Sequence, residues 1–235
     1  MRRTNLNEIK ETAKALLLAV EIENVQGMPI CNHPFTNTTV YVPNYTNFND
    51  HYDLTTKEGF EVWSKNMFNV IDKGKNFLDI YKLVLAPWRL TLLKFCEPNM
   101  NERLFTEYFA DAWVGAENPN MDANCSLKLF VKWFRQGKPE WLMQKEDLKV
   151  YNELPEKFEV YRGVAVGRNP NGLSWTRDYE TAKWFSERFN RNGKKGYMQK
   201  ALIDKKDALA YFNTRGENEI VVDSISIKNN IVIMQ

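Results

Sequence analysis

The sequence predicts an α+β protein, with a helical part over residues 1–150 packed on a strand-rich part over residues 151–235. Three observations lead there. Apolar residues recur at spacings of three and four through most of the first part, which is the period of a helix with one buried face. After Leu154-Pro155, short runs rich in Val, Ile, Tyr and Phe alternate with polar turns, as strands do. A hydrophobic content of 43%, with 13% aromatic, over 235 residues supplies a core for one large domain or two small ones.

Bulk properties narrow the class. A net charge of +2, with no long run of one sign, argues against a strongly electrostatic nucleic-acid binder, while leaving room for a local basic patch. Cys31, Cys96 and Cys125 are far apart and odd in number, so they read as free thiols in a reducing compartment. His33 and His51 lack an HExxH or HxE context, and no metal site is expected. The start, Met1-Arg2-Arg3, has no secretory pattern, and the apolar run 15–20 is too short to span a membrane. Without such a signal, the Asn-x-Ser/Thr triplets at Asn37, Asn44 and Asn124 read as chance. The expectation is a soluble cytoplasmic protein with no membrane partner.

The elements follow in order. Over residues 7–25, Ile9, Ala13, Leu16, Leu17 and Val20 line one helical face, with Glu8 and Glu11 near the start, where the helix dipole favours anions. Gly27 and Pro29 end the pattern. Thr39-Val40-Tyr41-Val42 reads as a short strand between polar loops. Thr55-Thr56-Lys57-Glu58 has the form of a capping box, and Phe60, Val62, Trp63, Met67, Phe68 and Ile71 carry the helix behind it to Gly74. Helices are predicted over 76–85, after Pro87, over 102–114 and over 127–135, with a polar loop at 116–124. The aromatics Phe105, Tyr108, Phe109, Trp113, Phe130, Trp133, Phe134 and Trp141 recur at helical spacing and read as core rather than as a base-stacking platform.

In the second part, strands are predicted over 158–164, 197–203, 220–223, 225–227 and 231–233. A helix over about 180–189 offers Ala182, Trp184, Phe185 and Phe189 for burial, with Asp178 or Thr181 as its cap. Residues 208–216 read as an aromatic-tipped loop.

Three short signals in this part point to chemistry. Tyr161-Arg162-Gly163 ends a predicted strand. A guanidinium there presents a planar fork that matches phosphate oxygens, and a glycine lets a ligand approach the backbone. Ser174-Trp175-Thr176 follows the Asn171-Gly172 turn, and its alternation puts both hydroxyls on one face, where they can orient a carboxylate. Glu217-Asn218-Glu219 leads into Ile220-Val221-Val222. Two carboxylates at i and i+2 of an extended segment project to one side, an unfavourable pairing unless both face a ligand or solvent. Each signal alone also fits an ordinary surface arginine, edge strand or charged strand entrance.

Together, in order and spacing and with the intervening helix, they resemble the active site of the mono-ADP-ribosyltransferases of the arginine–serine–glutamate class. That family includes clostridial binary-toxin catalytic domains and vertebrate arginine-modifying ectoenzymes. The resemblance covers about residues 155–235; residues 1–150 carry no motif of the family. It implies an ADP-ribosyltransferase-like split β-sheet core, NAD as substrate, and cleavage of its nicotinamide glycosidic bond. By position, Arg162 would hold the NAD pyrophosphate and support the fold around it, and the Gly163 backbone would clasp the nicotinamide carboxamide. Ser174 would orient the catalytic carboxylate, with Thr176 as scaffold. Glu219 would bond the 2′-OH of the nicotinamide ribose and stabilise positive charge developing on C1, as in oxocarbenium chemistry. Glu217 would position or deprotonate the nucleophile, a residue that in this family accompanies arginine acceptors. The 211–216 loop would contact the target, and Trp184 or Phe185 would pack under nicotinamide. The middle motif departs from the family's frequent Ser-Thr-Ser, but its first serine, which carries the main role, is in place.

The implied activity is transfer of ADP-ribose from NAD to a macromolecule, protein arginine favoured, as in phage or bacterial toxin-like effectors. A nucleic-acid base as acceptor keeps the same chemistry, and Arg188, Arg191, Lys194, Lys195 and Arg215 give basic character for it. Water as acceptor makes an NAD glycohydrolase. The alternative of a different class is a non-catalytic module that grips a partner with its helical part.

Overall fold

The computed structural model describes residues 2–22, 32–36, 41–43, 51–191 and 193–234. The chain divides into two compact units, Met1–Asn101 and Glu102–Gln235.

The first unit is built on α1 (Leu6–Ala19), α2 (Lys57–Lys73), α3 (Phe77–Leu83) and α4 (Arg89–Cys96), with a small antiparallel pair, β1 (Tyr41–Pro43) and β2 (His51–Asp53). The Asn5 side chain caps α1 by accepting from the Glu8 amide, and of the predicted face Ile9, Ala13, Leu16 and Leu17 are buried while Val20 is half-buried. The helix stops at Ala19, short of the 7–25 expectation, because Val20 is already extended. Val25, Gly27, Pro29, Thr39 and Val40 lie outside the described residues. The cap of α2 is Thr56, whose hydroxyl accepts from the Gly59 amide at 3.0 Å. Residue N3 is therefore Gly59, not Glu58, and no reciprocal capping box forms. Pro87 lies in a 3₁₀ turn, Ala86–Trp88, that leads into α4.

His33 is a core residue. Its Nδ1 accepts from the Phe35 amide and its Nε2 donates to the Leu17 carbonyl at 2.9 Å, so both ring nitrogens serve the chain, and burial lowers the pKa. Among the described residues no group of side chains could hold a metal ion. Cys96 and Cys125 are buried, and burial pushes the Cys96 thiol up to about 12. Cys31 lies outside the described residues.

The second unit joins helices to a sheet. Helices α5 (Glu102–Gly115), α6 (Leu127–Gln136), α7 (Pro139–Leu142) and α8 (Lys145–Asn152) precede β3 (Lys157–Val164), β4 (Ser174–Thr176), α9 (Tyr179–Glu187), β5 (Tyr197–Asp204), β6 (Ala208–Phe212), β7 (Glu219–Val222) and β8 (Val232–Met234). The six strands form one antiparallel sheet in the order β6-β7-β4-β3-β5-β8. The predicted aromatic core forms between α5 and α6. Phe109 lies 4.6 Å from Phe134 and Trp113 5.3 Å from Phe130, both edge to face. Phe134 continues that contact to Phe212 of β6, Tyr151 Oη donates to the Ala208 carbonyl, and Arg135 pairs with Asp223. Residue 150 thus marks a change from helices to strands inside one unit, and the compact division falls earlier, after Asn101.

Two strand assignments change, at residues 208–212 and 225–227. Residues 208–212, read as the start of a loop, form β6. All five of its side chains are buried, so no polar alternation marks it in the sequence. Residues 225–227 turn instead of extending, and β4 is an interior strand, flanked by β3 and β7. Asp178 caps α9 by accepting from the Thr181 amide. Among the described residues no helix is long and apolar enough to cross a membrane.

Candidate functional site

One row of paired residues crosses the sheet: Phe212 on β6, Glu219 on β7, Thr176 on β4 and Tyr161 on β3. Strand β3 pairs with β5 along all eight of its residues, but with β4 only through Tyr161↔Thr176. Beyond that pair the two strands part. The cleft there encloses about 1050 Å³, counting the solvent in its mouth. Arg162, Gly163, Ser174, Thr176, Phe185, Glu217 and Glu219 all line it. All three sequence signals therefore meet in one concavity.

Arg162 is 8% exposed. Its Nη1 donates to the Ser174 carbonyl and its Nη2 to the Asn169 carbonyl at 2.9 Å, so the guanidinium ties β4 and the preceding loop to β3. Gly172 makes room for it, because a Cβ at that position would overlap Nη2. Burial lowers the Arg162 pKa to about 10, with Glu219 as a nearby charge favouring the cation. The group is charged at neutral pH.

Glu219 begins β7. Its carboxylate accepts from Trp113 Nε1 at 3.2 Å and from the Ser174 hydroxyl. Burial raises its pKa and the neighbouring Glu217 adds to the rise, while the bonds from Ser174 and Trp113 and the charge of Arg162 oppose it. The Ser174 hydroxyl oxygen accepts from Asn120 Nδ2 at 2.9 Å, which leaves its own hydrogen for Glu219. Asn120 is fixed in turn: its Oδ1 accepts from the Leu173 amide and its carbonyl from Asn169 Nδ2. A chain of bonds thus runs from the 116–124 loop through Ser174 to the carboxylate. Thr176 is buried, and its Oγ1 accepts from the Asp178 amide at the turn into α9, a scaffold position.

Glu217 does not share a strand with Glu219. Asn218 between them has φ +47°, a left-handed conformation that breaks the alternation expected of an extended segment. Tyr211 Oη donates to Asn218 Oδ1 at 2.7 Å, and the Asn218 amide donates to Asn213 Oδ1, so the turn is braced from both sides. Both carboxylates still line the cleft. The loop that carries Glu217 is 213–218; Tyr211, expected in it, is buried in β6.

Gly163 meets the protein itself. A Cβ there would overlap the Ala182 carbonyl oxygen and the Ser186 amide nitrogen of α9, so the glycine lets the helix press onto β3. Phe185 lines the cleft, whereas Trp184 is 54% exposed and lies under the Arg188 guanidinium.

Trp113 and Asn120 belong to the site and were not singled out by the sequence signals. The need of a buried indole N–H for a partner was the one hint for Trp113. No family model matches the chain, and no curated protein or solved structure matches it.

Proposed function

We propose that the protein is an NAD-dependent mono-ADP-ribosyltransferase that uses the cleft between β3 and β4. One observation carries this reading: a half-buried carboxylate, Glu219, is held by Ser174 and Trp113 beside a buried Arg162 at the parting of two strands. A fixed anion in a poorly hydrated site stabilises positive charge far better than one in water. In the reaction, the bond between nicotinamide nitrogen and ribose C1 breaks and nicotinamide leaves with the electron pair. C1 becomes oxocarbenium-like, and Glu219 stabilises that charge. An acceptor nitrogen then bonds C1 and releases its proton to Glu217, which lines the same cleft. Arg162 holds the two strands in place, and its charge opposes the rise that burial imposes on the Glu219 pKa.

Protein arginine is the favoured acceptor. An arginine side chain is cationic, and Glu217 and Glu219 face the route it would take. A nucleic-acid base is the second reading, favoured by Arg215, exposed on the loop beside Glu217.

Incubation with NAD labelled in its adenylate half, with a cell lysate, tests the reading. Label in high-molecular-mass material that protease removes supports a protein acceptor, and label that nuclease removes supports a nucleic acid. Nicotinamide release without incorporated label identifies water as acceptor. Absence of both NAD binding and nicotinamide release overturns the enzyme and leaves a binding module.

A further inference from the structure

The rim of the cleft carries a second feature that the three signals do not use. Arg168, in the loop after β3, and Arg188, at the end of α9, both turn a guanidinium toward the same atom, Glu117 Oε1. The separations are 3.9 and 3.8 Å, too long for hydrogen bonds. The Glu117 side chain is 74% exposed, so this carboxylate holds its place weakly. The guanidiniums themselves are well braced. Both lie over the Phe189 ring, at 4.9 and 5.1 Å, and Arg188 also lies over Trp184 at 5.2 Å. Glu117, Arg168, Arg188 and Phe189 all line the cleft that contains Glu219.

Two braced guanidiniums converging on one exchangeable oxygen form an anion site with a weak internal occupant. Arg162 is less suited to that task, because Nη1 and Nη2 each already donate to a chain carbonyl and Nε, which has no partner, is buried out of a ligand's reach. We infer that Arg168 and Arg188 form the clamp for the pyrophosphate of the dinucleotide, and that Glu117 occupies the clamp until the pyrophosphate displaces it. This rests on the proposed NAD chemistry of the same cleft. A pyrophosphate offers several oxygens to two planar forks, where Glu117 offers one at long range. The same displacement makes Glu117 a competitor that sets how tightly the dinucleotide is held.

Titration calorimetry with ADP-ribose, which carries the pyrophosphate but no leaving group, tests the clamp on the full chain. Arg168→Gln and Arg188→Gln each weaken binding about tenfold or more. Arg188→Lys keeps the charge but not the fork and falls between. Glu117→Gln tightens binding about twofold to fivefold, a gain that a misfolded variant would not show. Wild-type binding with unchanged affinity in all four variants overturns the clamp and leaves the catalytic reading standing. No binding of ADP-ribose or NAD by the wild type overturns both.

Discussion

Glu219→Gln separates the chemistry of the cleft from its architecture. The substitution keeps the shape of the side chain and removes its charge. The amide oxygen can still accept from Trp113 Nε1, which lies 3.2 Å from the present carboxylate oxygen. On the proposed mechanism the anion that stabilises the developing cation is lost, and the loss of one such electrostatic partner lowers rates by about 10²–10³, or about 2.7–4 kcal/mol. Stability moves differently. Because burial raises the Glu219 pKa, the folded state holds that proton more tightly than the unfolded chain does. Its contribution to stability is therefore complete below the unfolded carboxylate pKa and is lost as pH rises through the folded value. Wherever the group is ionised it is a burden that glutamine relieves, partly offset by the loss of an anion beside Arg162. The net change is within about 1 kcal/mol, and the melting temperature stays within about 5 °C of wild type. The difference between variant and wild type also shifts in favour of the variant between acid and neutral pH. The assay is nicotinamide release by chromatography, alongside calorimetric melting at two pH values. Release above a tenth of the wild-type rate, with the fold intact, would refute the role given to this carboxylate.

Three further outcomes are expected. Glu217→Ala reduces transfer to the acceptor by about 10²-fold while sparing NAD hydrolysis; equal loss of both would end the division of labour between the two carboxylates. Trp113→Phe removes a donor that favours ionised Glu219, so the acid limb of the pH–rate profile for nicotinamide release moves to higher pH. An unmoved limb would show that the indole N–H has no influence on the carboxylate. Gly163→Ala forces α9 away from β3 and destabilises the second unit by about 1–3 kcal/mol, read as a lower melting temperature; an unchanged one would contradict the close packing.

Periodicity made the helices legible, as Ile9, Ala13, Leu16 and Leu17 show, because a one-sided burial pattern is written locally. Strand β6 was not legible: Ala208–Phe212 is covered on both faces, and a short apolar run without alternation carries no period. The candidate site divides in the same way. Arg162, Ser174 and Glu219 could be proposed because each stands in a recognisable short pattern at a strand or strand end. Asn120 could not, since its bond to Ser174 spans 54 residues and nothing near it in sequence encodes that partner. Trp113 was read correctly as core for its ring, but the direction of its N–H depends on the place of β7, a tertiary fact. The expected extended run from Glu217 to Glu219 failed on one backbone angle, at Asn218, that the residue types alone do not fix, although both side chains line the cleft.

The dependence of Glu219 on Trp113 and of Ser174 on Asn120 has a practical consequence for anyone dissecting the chain. A truncation beginning at residue 151 would retain every recognisable motif and still be inert. Its carboxylate would swing without the indole, its serine would lack a tether, and Phe212 would be stripped of its Phe134 neighbour. Such a fragment would precipitate or seek a chaperone, and its silence would say nothing about the chemistry of the intact molecule.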